Sequence, residues 1–365
     1  MDKNRSLKIG YELCSLVRAA LNNDNCSYDS DNMGQLYELC CKHRLTALVS
    51  SVIDRKTAGY HKWSNAFNLC VMRKVNMNAE RQQLIEFFRE NNIWYMPMKG
   101  LVLQKIYPDP YFREMCDNDI LYDSTEYKLV KEYMIKNGYR IEHASKDVHV
   151  DEYMKEPYYC FELHKSFFNI TRGTLAQYYQ NIFDFLINVD ECEMKLSDED
   201  FYVYMIAHSY KHFVDGGTGL RSFVDCYLYN RKVSYNKEYV AKELKKLGID
   251  EFERKFSTLA DKLFCGDSIK LTEEEEEMFI YVTSSGAYGT KENYLRNKLN
   301  SQSKTRYLFG RVFPALEWYK GHVPFCYKHR WAIPFYCVYR LFDRGIKYGN
   351  RIKKEISIVR NIDDK

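Results

Sequence analysis

The chain has 365 residues, enough for two domains or one large one. Apolar residues make up 45% and charged residues 28%, as in an ordinary soluble globular chain, and a net charge of +4 lacks the concentrated basic character of a nucleic-acid binder. Twelve cysteines include no C-x-x-C, which excludes the zinc-ligand spacings, and the longest apolar-looking run, Trp331–Val338, falls far short of the ~20 residues of a membrane span.

Residues 1–90 read as helices. Leu7–Leu21, Met33–Asp54 and Lys62–Asn91 carry apolar residues at three- and four-residue spacing, as in Leu36, Leu39, Cys40 and His43, then Leu45, Leu48 and Val49. Asn22-Asn23-Asp24-Asn25 and Thr57-Ala58-Gly59 break them. The opening MDKNRSLKIG turns polar before an apolar run can form, so free thiols in a reducing cytoplasm are expected, and the shortness of the longest apolar run adds the expectation of no membrane partner. The first two helices are expected to give packing support. The third leads directly into an apolar strand, Ile93–Met98, which ends at Lys99-Gly100.

A helical turn over Leu101–Tyr107 and the loop Pro108-Asp109-Pro110 lead to a second strand carrying Asp117-Asn118-Asp119-Ile120-Leu121. Alternation along a strand sends Asp117 and Asp119 from the same face, one pleat apart. Two carboxylates held that way suit a hard divalent cation. Gly100 lets a ligand approach the backbone, and the amide groups at that junction suit phosphate. Cation plus phosphate points to nucleotide chemistry. The spacing alone says little, since Asp29-Ser30-Asp31 and Asp198-Glu199-Asp200 share it and read as loop or helix-start sequence.

Ser124-Thr125 caps a helix running to Lys136, which stops at Asn137-Gly138. Tyr139–His143 and Val148–Tyr153 read as strands joined by Ala144-Ser145-Lys146, and Glu156-Pro157 turns the chain into a further strand, Tyr158–His164. That strand sends Tyr159, Phe161 and Leu163 to one side and Cys160, Glu162 and His164 to the other. A Glu there is costly to bury unpaired, so Glu162 needs a shared cation or a salt bridge to Lys or Arg.

The run K-G-L-x-L…Y-P-D-P…R…D-x-D-I-L, from Lys99 to Leu121, resembles the nucleotidyltransferase superfamily of the DNA polymerase β type. More narrowly, it is similar to a bacterial branch known only as uncharacterised nucleotidyltransferases. The resemblance implies a strand ending in Gly, a helix, an acidic pair on the next strand and a third acidic residue on a later one: here Asp117, Asp119 and Glu162. Leu101 follows Gly100 where many superfamily members have Ser or Gly, so no hydroxyl contact to phosphate carries over. The implied chemistry uses Mg²⁺ or Mn²⁺ bridging Asp117 and Asp119, with Glu162 as third ligand and general base. A nucleoside monophosphate passes from an NTP, ATP being the expected one, to a hydroxyl on a small molecule or a protein. Lys99, Gly100, Arg113 and His164 are the expected nucleotide contacts. The alternatives are a strand-end lysine at the surface for Lys99, a pair with Glu114 or Asp109 for Arg113, and a structural or Glu162-orienting role for His164.

Beyond Thr171 the chain reads as helical again. Leu196-Ser197-Asp198-Glu199 opens a helix through Phe201–Val214 that carries His208 and His212 at i and i+4, without H-E-x-x-H or an evident third ligand. A Gly-rich turn, Gly216–Leu220, enters the next helix. The stretch A-H…K-H…G-x-G-L-R-x-x-x-D also resembles the branch named above, and implies that His212, Lys211 and Arg221 approach the substrate cleft. The alternative is Arg221 paired with Asp225 along one helix face. Glu273–Glu277 reads as a solvated helix start, residues 282–305 as loop and polar helix, and the tail as a basic helix with Lys347, Arg351, Lys353, Lys354 and Arg360. A solvated basic face is the expectation there, an anionic partner the alternative.

The expected fold is α+β: a small mixed or antiparallel nucleotidyltransferase sheet over residues 91–170, between an N-terminal helical region, 1–90, and a C-terminal helical domain, 171–365. One rival function is a catalytically idle nucleotidyltransferase fold acting as a binding partner, such as an antitoxin. A nucleic-acid polymerase or tailing enzyme is the other, and the near-neutral charge speaks against it. The enzyme reading requires residues 117, 119 and 162 to converge beside the glycine bend. Glu162 turned away, or neutralised by a basic neighbour, would leave only the scaffold.

Overall fold

The computed structural model describes residues 3–24, 32–143, 149–266, 268–300 and 302–362. Four helices precede the sheet: α1 (Lys3–Asn22), α2 (Met33–His43), α3 (Thr46–Ser50) and α4 (Tyr60–Glu90). The single helix expected over 33–54 is two, because Arg44 takes φ 56°, ψ 47° and this left-handed residue redirects the chain. His43 at the corner is fully buried. Its Nδ1 accepts the Leu220 N–H at 3.1 Å, so its Nε2–H donates to the Thr283 carbonyl at 3.1 Å.

The five-stranded sheet follows, as β1 (Tyr95–Pro97), helix α5 (Gly100–Leu103), β2 (Asn118–Tyr122), helix α6 (Tyr127–Lys136), β3 (Arg140–His143), β4 (Val150–Lys155) and β5 (Tyr159–His164). Its order is β1-β2-β5-β4-β3; β2 and β5 run parallel and the other neighbours antiparallel. One face packs Tyr95, Ile120, Tyr122, Tyr153, Phe161 and Leu163 against Leu84 and Phe88 of α4 and Val130 and Met134 of α6. Met96 and Leu121 point the other way, into a larger core shared by α1–α3 and the helices that follow residue 197. The expected joint Ala144-Ser145-Lys146 and the loop Asp29-Ser30-Asp31 lie outside the described residues.

After β5 come α7 (Thr174–Tyr178) and a two-stranded sheet, β6 (Ile187–Asn188) with β7 (Met194–Lys195), in a stretch expected to be helical. Helix α8 (Asp198–Val214) begins where the Ser197 hydroxyl accepts the Asp200 N–H at 3.0 Å. The remaining helices are α9 (Leu220–Lys232), α10 (Lys237–Leu247), α11 (Asp250–Phe264), α12 (Glu273–Ser285), α13 (Lys291–Asn300), α14 (Lys304–Val312), α15 (Leu316–His322), α16 (Pro324–Lys328) and α17 (Ile333–Asn361). The acidic run at 273 does start a helix, closed by a reciprocal Thr272–Glu275 capping box. Helix α17 is kinked at Tyr348. Among the described residues no helix is long and apolar enough to cross a membrane. The protein is thus α+β, with a mixed sheet and helices at both ends.

Candidate active site

The site grows from the parallel pairing of β2 with β5. Asp119 lies opposite Glu162 and Leu121 opposite His164. Because side chains alternate, Ile120, Phe161 and Leu163 enter the core under α4 and α6, while Asp119, Glu162 and His164 leave from the opposite face. The end of β1 adds Lys99, whose φ 45°, ψ −114° falls where L-residues are sterically disfavoured. Its ammonium lies 2.5 Å from Asp119 Oδ1, 3.4 Å from Glu162 Oε2 and 3.5 Å from His164 Nε2. His164 Nε2 is also 2.9 Å from Asp119 Oδ1. Among the described residues, Asp119, Glu162 and His164 form a group whose potential ligand atoms all lie within 4.8 Å of one another.

These charges set each other's protonation. Burial works to raise the Asp119 carboxyl, yet the Lys99 ammonium and the His164 ring hold it well below the usual carboxylate range. Lys99 in turn is held well above its ordinary value, since its carboxylate neighbours outweigh the burial that opposes them. Asp117 behaves in the opposite way. Burial, then the like charges of Asp119 and Glu162, push it up to about 7, against the pull of Lys99 and Arg221. It sits one residue ahead of β2 rather than within it, and outside the tight ligand group of Asp119, Glu162 and His164.

The other expected contacts are distributed differently. The Arg113 guanidinium is buried and donates through Nε and Nη2 to the two Asp225 oxygens, each at 2.8 Å, and the Tyr107 hydroxyl donates to the same carboxylate at 2.8 Å. Neither Glu114 nor Asp109 is its partner, and the guanidinium is already committed within the protein rather than held out for a nucleotide. Gly100 follows from this packing: a Cβ there would run into Arg113 Nη1 and stand 3.2 Å from Met115 Cγ. The glycine at the bend thus accommodates a buried arginine. Asp225 is not the partner of Arg221, which instead donates to the Glu114 carbonyl at 2.8 Å and lies near enough to Asp117 to lower it.

Helix α8 supplies polar groups on the side facing the acidic strands. His212 Nε2 lies 3.2 Å from His208 Nε2. Burial, then Lys211 and Lys99, take His212 down to about 3, and burial with Lys99 takes Lys211 down to about 8. Two residues absent from the sequence expectations join them. Tyr204, one turn before His208, is buried, its hydroxyl has no hydrogen-bond partner among the described residues, and it feels the charges of Lys99, Asp119 and Glu162. His149 stacks edge-on to His164 at 6.4 Å between ring centroids. No motif announces Tyr204, since along α8 it reads as one more apolar position.

Residues 29–265 match a family model described as an uncharacterised nucleotidyltransferase. The match takes in the sheet, the acidic pair, Glu162 and the α8–α9 wall. No curated protein and no solved structure matches the chain.

Proposed function

The chain belongs to this uncharacterised nucleotidyltransferase family, and we propose that it transfers a nucleoside monophosphate from an NTP, with ATP the first to test, to a hydroxyl acceptor in a divalent-cation-dependent reaction. The observation that carries this reading is the convergence of Asp119, Glu162 and His164 on one face of neighbouring strands, with Asp117 beside them. The donor set fits a divalent cation. It joins two carboxylates and an imidazole, with His164 Nε2 2.9 Å from Asp119 Oδ1 and 3.6 Å from Glu162 Oε2. Mg²⁺ or Mn²⁺ held by Asp119, Glu162 and His164, with Asp117 alongside, would neutralise triphosphate charge and acidify the acceptor hydroxyl.

The protein's own groups do the rest. Lys99 lies close enough to the carboxylates to exchange them for the phosphates of the nucleotide, and Arg221 and Lys211 add positive charge on the α8–α9 side. Glu162, 29% exposed at its side chain and the most open of the three, accepts the acceptor's proton. The acceptor oxygen forms the new bond to the α-phosphorus, the bond to the α–β bridging oxygen breaks, and pyrophosphate leaves.

A second reading has its own support. Lys99, 3.4 Å from Glu162, is the basic neighbour that the sequence set against the enzyme, and a permanent Lys99–Asp119–Glu162 cluster would make this an idle fold that binds a partner. Titration separates the two. Under the enzyme reading, NTP with Mg²⁺ or Mn²⁺ at ~100 times its Kd adds about 2.7 kcal/mol of stability. Asp119→Asn removes the metal-dependent part, and labelled nucleotide with cell extract yields pyrophosphate and a labelled product. Absence of any metal-dependent nucleotide binding in the wild-type chain decides for the idle fold.

A further inference from the structure

The basic tail, outside the family match, holds a surface that the catalytic reading does not use. Between residues 304 and 365, 14 Lys and Arg face five Asp and Glu, so the remaining 303 residues carry 40 against 45. A chain of nearly balanced charge is therefore a slightly acidic body with a strongly cationic end. The first part of α17 is amphipathic in an inverted sense. Its inner side is held by Cys337 and Tyr336 against Tyr319 and Trp318, with Tyr319 Oη 3.1 Å from Cys337 Sγ and the Arg340 guanidinium over the Trp318 ring at 4.6 Å. Its outer side is apolar and open. Trp331 (69% exposed), just ahead of the helix, is continued by Phe335 (71%), Val338, Tyr339, Phe342 (69%) and Ile346 (85%). Their three- and four-residue spacing puts them on one stripe about 22 Å long.

We propose that this stripe docks the protein on an anionic lipid surface, the helix lying in the plane of the interface. The inner side already has its partners, and among the described residues the stripe is left uncovered. Exposed cations bracket it: Lys328 and Arg330 at its start, Lys347, Lys353 and Lys354 beyond its end. Tryptophan, tyrosine and phenylalanine on an apolar face with Lys and Arg at its margins match the headgroup boundary of an anionic bilayer. Two copies of the face brought together would oppose like charges across the contact, which disfavours a dimer. Val338 and Ile346 offer no flat ring for a base to stack on, and the apolar stripe gains nothing from a phosphate backbone, which disfavours nucleic acid. Docking needs no spanning helix, so the expectation of no membrane partner, which rested on span length, does not bear on it.

Flotation of the full chain with phosphatidylcholine vesicles, with and without ~30% phosphatidylglycerol, tests the proposal. Binding to the anionic vesicles, weakened by salt, is expected, with a blue shift of tryptophan emission that Trp331→Phe removes. Phe335→Ser/Phe342→Ser should lower partitioning at least about tenfold, and Lys353→Glu/Lys354→Glu should lower it only on the anionic vesicles. Both double variants alter exposed side chains, so an unchanged circular-dichroism spectrum and melting curve keep the comparison valid. No vesicle binding by the wild type overturns the proposal, as do equal binding to neutral vesicles, partitioning untouched by the phenylalanine changes, or loss of a dimer or of RNA retention in the variants without any wild-type vesicle binding.

Discussion

Replacing Asp225 with alanine tests whether the Arg113–Asp225 pair holds the glycine bend against α9. Both side chains are 6% exposed, and the contact is bidentate with a third hydrogen bond from Tyr107. The variant strands a buried guanidinium and an unpaired phenol at once. Removing one partner of a buried ion pair costs about 3–5 kcal/mol, chiefly because the survivor stays desolvated. With a urea m-value of about 3 kcal/mol/M, the midpoint falls by roughly 1–1.7 M. Arg113→Met/Asp225→Leu removes both charges and keeps the volume, so it should recover most of the loss. Equilibrium urea unfolding followed by far-ultraviolet circular dichroism gives all the midpoints. As a control, Arg296→Ala breaks the exposed Glu292–Arg296 pair, at 56% exposure on both sides, and should leave the midpoint almost unmoved. An Asp225→Ala midpoint as close to wild type as that control, or a double variant no better than the single one, refutes the reasoning.

Three further outcomes are expected. Gly100→Ala drives a methyl into Arg113 and Met115 and should cost about 1–3 kcal/mol, read from the same unfolding curves; a neutral result would mean that the guanidinium has room to move. Burial takes His43 down to about 4, against the support of its bond to Thr283. A neutral buried histidine whose unfolded value is near 6.5 contributes stability that is complete above pH 6.5 and lost as pH falls toward 4. About 3 kcal/mol should therefore disappear over that window, with a shallower slope in His43→Gln, and parallel pH profiles would exclude it. Lys99→Met removes the ammonium that competes for the carboxylates, so Mn²⁺ affinity without nucleotide should rise at least about tenfold by calorimetry. An unchanged affinity would place the metal elsewhere.

Each strand and helix at the centre of the fold carries its own period, and the resemblance of their order to the nucleotidyltransferase superfamily is what joined Glu162 to the acidic pair. Asp119 and Glu162 meet because β2 and β5 lie side by side at matching register, a pairing that alternation within each strand leaves open but does not conflict with. Partnerships across distance were not legible. Asp225 lies 112 positions from Arg113, so the nearer Glu114 and Asp109 suggested themselves first. The break at Arg44 was hidden because a left-handed residue there is an arginine rather than a glycine, with apolar spacing continuing past it. In the tail, spacing identified a helix with a basic side. It could not say which side packs inward, and the structure turns the aromatic stripe outward.

The backbone at Lys99 recurs elsewhere in the chain, at φ 54°, ψ −120°, and there the residue is Gly173. The same fold thus uses an unencumbered residue for this dihedral where nothing else is asked of it, and a long charged one beside the carboxylates. Sparse backbone conformations of this kind cost on the order of 1–3 kcal/mol. Lys99→Gly should therefore melt later than Lys99→Ala while lacking the ammonium equally, so that relief of the bend and loss of the charge can be separated by comparing two truncations of one side chain.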